Sequence, residues 1–127
     1  MSILLINKMS TLIKDYMKMG LSLVNQTNIE NYRNKYVIVH GKVQSIKNNT
    51  LNLLIDPVNN YVLLVNGFRE KKSISDDFVA IIGRVASDKS LDFVDMFQLD
   101  KDFDLDFANE IVAISTHPNT KQFFERN

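Results

Sequence analysis

Five short runs of alternating apolar and polar residues occupy the middle of this chain, and a period of two confines that region to strands. Val37, Val39, Gly41 and Val43 alternate with Tyr36, Ile38, His40 and Lys42. Asn48-Asn49 is a turn signal, because asparagine tolerates left-handed backbone angles. A second run, Leu51 to Ile55, ends at Asp56-Pro57 and Asn59-Asn60, and a third, Tyr61 to Val65, ends at Asn66-Gly67. A charged connection, Phe68 to Asp77, leads into the most apolar run, Phe78 to Ser87, where Gly83 marks a bulge or bend. Asp88-Lys89-Ser90 then turns the chain into a fifth run, Leu91 to Leu99.

The flanks have a different period. In residues 3–19, Leu5, Met9, Leu12, Ile13, Tyr16 and Met17 share one helical face. A short helical stretch, Ile29 to Asn34, precedes the first strand. From Asp104 the chain is helical again: Leu105, Ala108, Ile111, Val112 and Ser115 line one face, Phe107 and Ile114 flank it, and Pro118 ends it. The economical architecture is all-β: a five-stranded OB-fold (oligonucleotide/oligosaccharide-binding) barrel with an N-terminal helical extension and a C-terminal α-helix. Gly41 and Gly83 fall where the first and fourth strands of such a barrel bend. The chain divides into an extension, 1–23, a barrel, 24–102, and a C-terminal helix, 103–127, to which the resemblance described below gives an oligomerisation role.

Charge is segregated along the chain although its sum is zero. Residues 1–72 hold ten basic and four acidic side chains, and residues 73–127 hold five basic and eleven acidic. A neutral total therefore does not argue against a nucleic-acid complex; it argues against this chain being the main grip on DNA. The opening apolar run, Ile3 to Ile6, is far shorter than the roughly 20 residues of a membrane span or the 7–15 of a secretory core.

Catalytic constellations are absent from the pattern. There is no cysteine, which excludes a disulfide scaffold, thiolate zinc, an Fe–S cluster and a Cys nucleophile. The four glycines are too scattered to cradle a phosphate. His40 reads as a strand residue on a solvent or ligand face, and His117 as a cation at a helix C-terminus. Asp100 to Asp106 imitates the start of a calcium loop, but Leu105 replaces the required glycine and Ile111 the bidentate glutamate. Asp102, Asp104 and Asp106 instead suit the positive end of the following helix. The chain is read as a non-enzyme that needs no metal or cofactor.

Single-stranded nucleic acid is held by aromatic stacking, worth about 1–3 kcal/mol per base, beside a basic groove. The candidate contacts are Lys42, Tyr61, Phe68, Arg69, Lys71, Lys72 and Arg84, with Phe93 and Lys47 as secondary ones. Asp92 and Asp95 flank Phe93, and there is no tryptophan, so the platform is incomplete.

From about Val24 to Phe124 the chain resembles a known family, the smallest subunit of replication protein A, the eukaryotic single-stranded-DNA-binding heterotrimer. The resemblance rests on VNQTNIENYRNK, VIVHGKV, FVAIIGRV and FDLDFANEIVAI, followed by His117-Pro118 and Phe123-Phe124. It implies a single OB barrel whose C-terminal helix joins helices of the middle and large OB-fold subunits. On that reading Leu105, Phe107, Ala108, Ile111, Val112, Ile114 and Ser115 form a partner interface, and DNA is held mainly by the partners. The resemblance further implies nuclear localisation, no membrane attachment, and a place in replication and repair or at telomeres, where similar trimers associate with telomerase. Two other readings stand beside it: an autonomous single-stranded nucleic-acid-binding module and an OB-fold adaptor for protein partners. Residues 1–23 have no counterpart in the resemblance.

Overall fold

The computed structural model describes residues 3–69 and 77–115, with side chains described for 7–69 and 77–112. Helix α1 (Ile3–Lys18) leads into a two-residue strand β1 (Ser22–Leu23) and a single 3-10 turn (Ile29–Tyr32). Then follow β2 (Tyr36–Lys47), β3 (Thr50–Asp56), β4 (Tyr61–Asn66), β5 (Phe78–Val85), β6 (Leu91–Gln98) and helix α2 (Leu105–Ser115). All five expected strands are present. The extra strand β1, parallel to β2 through Ser22↔Val37 and Leu23↔Ile38, is too short to show a period in sequence. The helix expected over 29–34 shrinks to one turn, ended by Asn34 at φ 64°.

Strand β2 is long because it serves two neighbours. Its first half pairs antiparallel with β5, from Tyr36↔Arg84 to Lys42↔Phe78, and its second half with β3, from Lys42↔Leu54 to Lys47↔Thr50. Strand β3 pairs with β4, and β4 meets β6 in a short parallel contact, Val65↔Leu91 and Asn66↔Asp92. Strand β6 returns to β5, so the order β2-β3-β4-β6-β5 closes on β2. A closed barrel leaves few open strand edges.

Local chemistry explains the corners. Asn48 and Asn49 take φ of 53° and 65°, the two positive values of a type I′ hairpin, whose twist matches that of the strands it joins. At the β5–β6 turn, Asp88 Oδ1 accepts hydrogen bonds from Ser90 Oγ at 2.6 Å and Ser90 N at 3.0 Å. Those bonds hold the Asp88 carboxyl below its usual range, the hydroxyl contributing most. Opposite Gly83 the register slips, Ile82 pairing Asp95 and Gly83 pairing Phe93, which leaves Val94 as a bulge residue.

Alternation sends Val37, Val39, Leu51, Leu53, Val65 and Ile81 into the barrel, with Val24 and Ile29 closing one end. Phe68 is 1% exposed in the same interior and meets Phe93 edge-on, the ring centroids 5.2 Å apart. A second apolar cluster lies on the outer face of the sheet. It joins Ile38 and Ala80 to Met9, Ile13 and Tyr16 of α1 and to Phe107, Ala108, Ile111 and Val112 of α2. Both helices therefore belong to the packed molecule, and α1 is not a detached extension.

Candidate functional site

Helix α2 starts where its sequence says it should. Asp104 Oδ1 accepts a hydrogen bond from Phe107 N at 2.9 Å, an N-cap that satisfies one of the open amides of the first turn and places a carboxylate at the positive helix end. Asp106 adds a second acid in that turn. One turn further, Asn109 clips the helix to the barrel. Its Nδ2 donates to Ile55 O at 2.7 Å, and its Oδ1 accepts from Asn25 Nδ2 at 3.4 Å. Asn25 is itself held by local turns: its Oδ1 accepts from Thr27 N and Thr27 Oγ1, and its own N–H donates to Asn28 Oδ1. The asparagines of VNQTN and the asparagine of FANE, far apart in sequence, are thus one polar staple.

This staple sets the orientation of α2, and five of the seven side chains nominated for a partner are buried together. Leu105, Phe107, Ala108, Ile111 and Val112 are between 1% and 6% exposed. Ile114 and Ser115 belong to the same helix, but their side chains lie outside the described residues. In the folded chain Phe107, Ala108, Ile111 and Val112 share one apolar cluster with Ile38 and Ala80 of the sheet and Met9, Ile13 and Tyr16 of α1.

The centre of that packing is polar. Tyr16 Oη and His40 Nε2 are 2.7 Å apart, both residues buried. His40 is flanked edge-on by Tyr16 and by Phe103, at centroid distances of 5.5 and 5.0 Å. The expectation that His40 faces solvent or ligand is corrected here: it lies on the outer face of β2, but helix α1 roofs that face. Burial disfavours the imidazolium and lowers the His40 pKa to about 3, so the ring is neutral and Nε2 can accept the tyrosine proton. Burial, with a smaller contribution from the Asp15 charge, raises the Tyr16 pKa, keeping the hydroxyl protonated to donate. His40 Nδ1 finds no hydrogen-bond partner among the described residues.

The candidate nucleic-acid residues are scattered. Phe68 is withdrawn from any binding surface, since it fills the barrel interior and cannot meet a base without opening it. Phe93 and Tyr61 are half-buried and pack against the same core. Lys42 Nζ lies 5.8 Å from the Phe78 ring centroid, and Lys42 lines a cleft with Phe78, Asp102 and Asp104. Arg84 is 3.4 Å from Asp92 at the far end of the β2–β5 ladder, about 20 Å from Lys42 at the rise of a strand. Arg69 and Lys47 are exposed, and Lys71 and Lys72 lie outside the described residues. Lys42 and Arg84 do not form one groove, and each sits beside carboxylates of the acidic half. Lys89 and Glu30, 3.4 Å apart, likewise tie the two halves of the chain together, so the charge segregation of the sequence is partly interleaved in space. Among the described residues no cluster of three or more His, Cys, Asp or Glu side chains can hold a metal, and no helix is long and apolar enough to cross a membrane.

A barrel in this strand order, with a short helical turn before its long strand and a helix after its last strand, defines an OB fold. The sequence matches the family described as replication factor A protein 3 over residues 17–123, and the chain belongs to that family. No curated protein sequence matches it. Among solved structures, it is similar to a chain of Ustilago maydis replication protein A bound to single-stranded DNA. That match has a TM-score of 0.68 and 21% identity, and spans 82% of this chain and 94% of the other. It is also similar to a chain of the Schizosaccharomyces pombe Stn1–Ten1 complex, with a TM-score of 0.60, 22% identity, and coverage of 73% and 89%. The telomere capping protein Ten1 from S. pombe matches with a TM-score of 0.59 and 20% identity, over 73% and 94%.

Proposed function

We propose that this chain is a non-catalytic assembly subunit of a replication-protein-A-like single-stranded-DNA-binding complex, acting in the nucleus. The observation that carries this reading is the family match, which runs through the barrel and α2 together. The dispersal of the basic side chains supports it from the other direction: Lys42 and Arg84 each lie beside carboxylates, and Phe68 is spent in the core. Such a surface suits a subunit whose partners supply the DNA grip, and the middle and large OB-fold subunits of a trimer are those partners. The interface is built on α2, from Leu105, Phe107, Ala108, Ile111, Val112, Ile114 and Ser115.

The similarity to Ten1 and to the Stn1–Ten1 complex favours a second reading, a telomere-capping assembly, with or without telomerase. Affinity purification of the tagged chain from its native cells, followed by mass spectrometry, tests both. Recovery of two larger OB-fold subunits supports the replication-type trimer, and recovery of a single Stn1-like subunit supports the telomeric one. A chain recovered alone that binds a 30-nucleotide strand tightly and in a salt-sensitive way overturns both in favour of an autonomous binding module.

A further inference from the structure

Helix α1 shares an apolar cluster with the interface just proposed. The family match begins at residue 17, in the last turn of α1, so nearly all of this helix lies outside the matched residues. Met9, Ile13 and Tyr16, spaced four and three residues apart on one face, are buried in the same cluster as Phe107, Ala108, Ile111 and Val112. The face that a partner helix needs thus shares one apolar cluster, through Ile38 and Ala80 of the sheet, with the buried face of α1.

One edge of α1 borders an open cleft. The cleft, of about 530 Å³, runs between α1, at Lys8, Met9 and Leu12, and the segment joining β6 to α2, at Leu99, Asp102 and Phe103. At its other end α1 stops cleanly. Leu21 N donates to Tyr16 O at 2.9 Å and Gly20 N to Met17 O at 3.0 Å, a Schellman stop in which Gly20 takes φ 75° with open space around it. A well-defined helix thus meets the barrel through a glycine joint in open space and one buried polar contact, Tyr16 to His40.

We propose that α1 is a replaceable lid. In the lone chain it covers the docking face of α2, and on assembly a helix of a larger OB-fold subunit takes its seat while α1 swings away about Gly20. This rests on the assembly reading above. The occupant is an amphipathic helix with apolar residues at the spacing of Met9, Ile13 and Tyr16 and a Lys or Arg along one edge. The charge requirement comes from the cleft, where Asp100, Asp102 and Asp104 meet the single basic side chain Lys8 that α1 itself supplies.

Two measurements test the lid. In the first, amide hydrogen exchange is compared for the full chain alone and in its native complex. Exchange in α1 at least tenfold faster in the complex supports the lid; unchanged protection overturns it while leaving the assembly reading intact. The second needs no partner. A fluorescent peptide of residues 1–20 is titrated against the full chain and its Ile13→Asp variant. Binding to the variant at least tenfold tighter than to the wild type, whose seat is filled, supports exchange in trans. Absence of binding to a variant that retains the barrel's circular dichroism overturns it. Should Ile13→Asp fail to fold, Tyr16→Phe loosens the helix by one hydroxyl. It is expected to bind the peptide more tightly than the wild type, and equal binding again overturns the lid.

Discussion

Tyr16 Oη lies 2.7 Å from His40 Nε2, so the last turn of an N-terminal helix is hydrogen-bonded to the middle of the strand that organises the barrel. The bond forms in a buried site between two aromatic rings, which makes the protonation of one imidazole a determinant of how the helix docks. His40 titrates near 3 in the folded chain and near its ordinary 6.5 when unfolded. Below the unfolded value the unfolded state binds more protons, so stability is complete above about pH 6.5 and falls as pH drops towards 3. The expected loss by pH 4 is of the order of a few kcal/mol. Urea unfolding between pH 7 and 4 measures it, and His40→Phe, which keeps an aromatic ring and cannot titrate, is expected to flatten that part of the pH profile.

Removing the other partner tests the same bond at neutral pH. Tyr16→Phe leaves Nε2 buried beside a ring edge with no donor, and an unmet buried polar atom costs about 1–3 kcal/mol. The loss is expected as a lower denaturation midpoint at pH 7.

Asn109 offers a separate test of how α2 is held. Asn109→Ala deletes the donor to Ile55 O and the acceptor for Asn25 Nδ2, and is expected to destabilise the chain by about 1–3 kcal/mol. Asn109→Asp is expected to be worse, because a carboxylate then faces the Ile55 carbonyl oxygen that the amide had donated to. Chemical denaturation ranks the two variants.

Much of this architecture can be read from sequence because its causes are local. The hairpin at Asn48-Asn49 follows from two residues that accept positive φ, the strands from alternation, and the start of α2 from Asp104. What lies between elements is harder. An apolar stripe on α2 says that a face is buried but not against what, and the structure places it in one cluster with Ile38 and Ala80 of the sheet and the buried face of α1. Phe68 follows the Asn66-Gly67 turn, outside any periodic run, so alternation does not report its direction. It points inward because Phe68 N donates to Asn49 O at 2.9 Å, a contact between two turns that no local pattern encodes. His40 is misread for a related reason: alternation correctly puts it on the outer face of β2, but only the tertiary fold shows that α1 covers that face.

Phe68 itself separates a core residue from a stacking platform. Phe68→Ala is expected to cost about 3–5 kcal/mol of stability through the cavity it leaves. A solvent-facing stacking residue would lose DNA affinity at almost no cost in stability. Thermal unfolding of the variant, with single-stranded-DNA binding measured on whatever fraction remains folded, distinguishes the two.

The two strand glycines are expected to differ in their tolerance of a methyl group. A Cβ on Gly83 would lie 2.5 Å from Asp92 O and 2.5 Å from Leu91 Cγ, so a backbone carbonyl of the paired strand would have to move. A Cβ on Gly41 would lie 2.5 Å from Leu53 Cγ, a side chain pointing across the barrel interior. Side chains repack more readily than a hydrogen-bonded strand, and overpacking of this kind costs about 1–3 kcal/mol. Gly83→Ala is therefore expected at or above the upper end of that range, and Gly41→Ala below it. The reason lies in the sheet: Gly83 pairs with Phe93 at the step where Val94 bulges. Parallel denaturation of the two variants checks the order, and a Gly41→Ala less stable than Gly83→Ala would show that the interior around Leu53 is the stiffer part of the barrel.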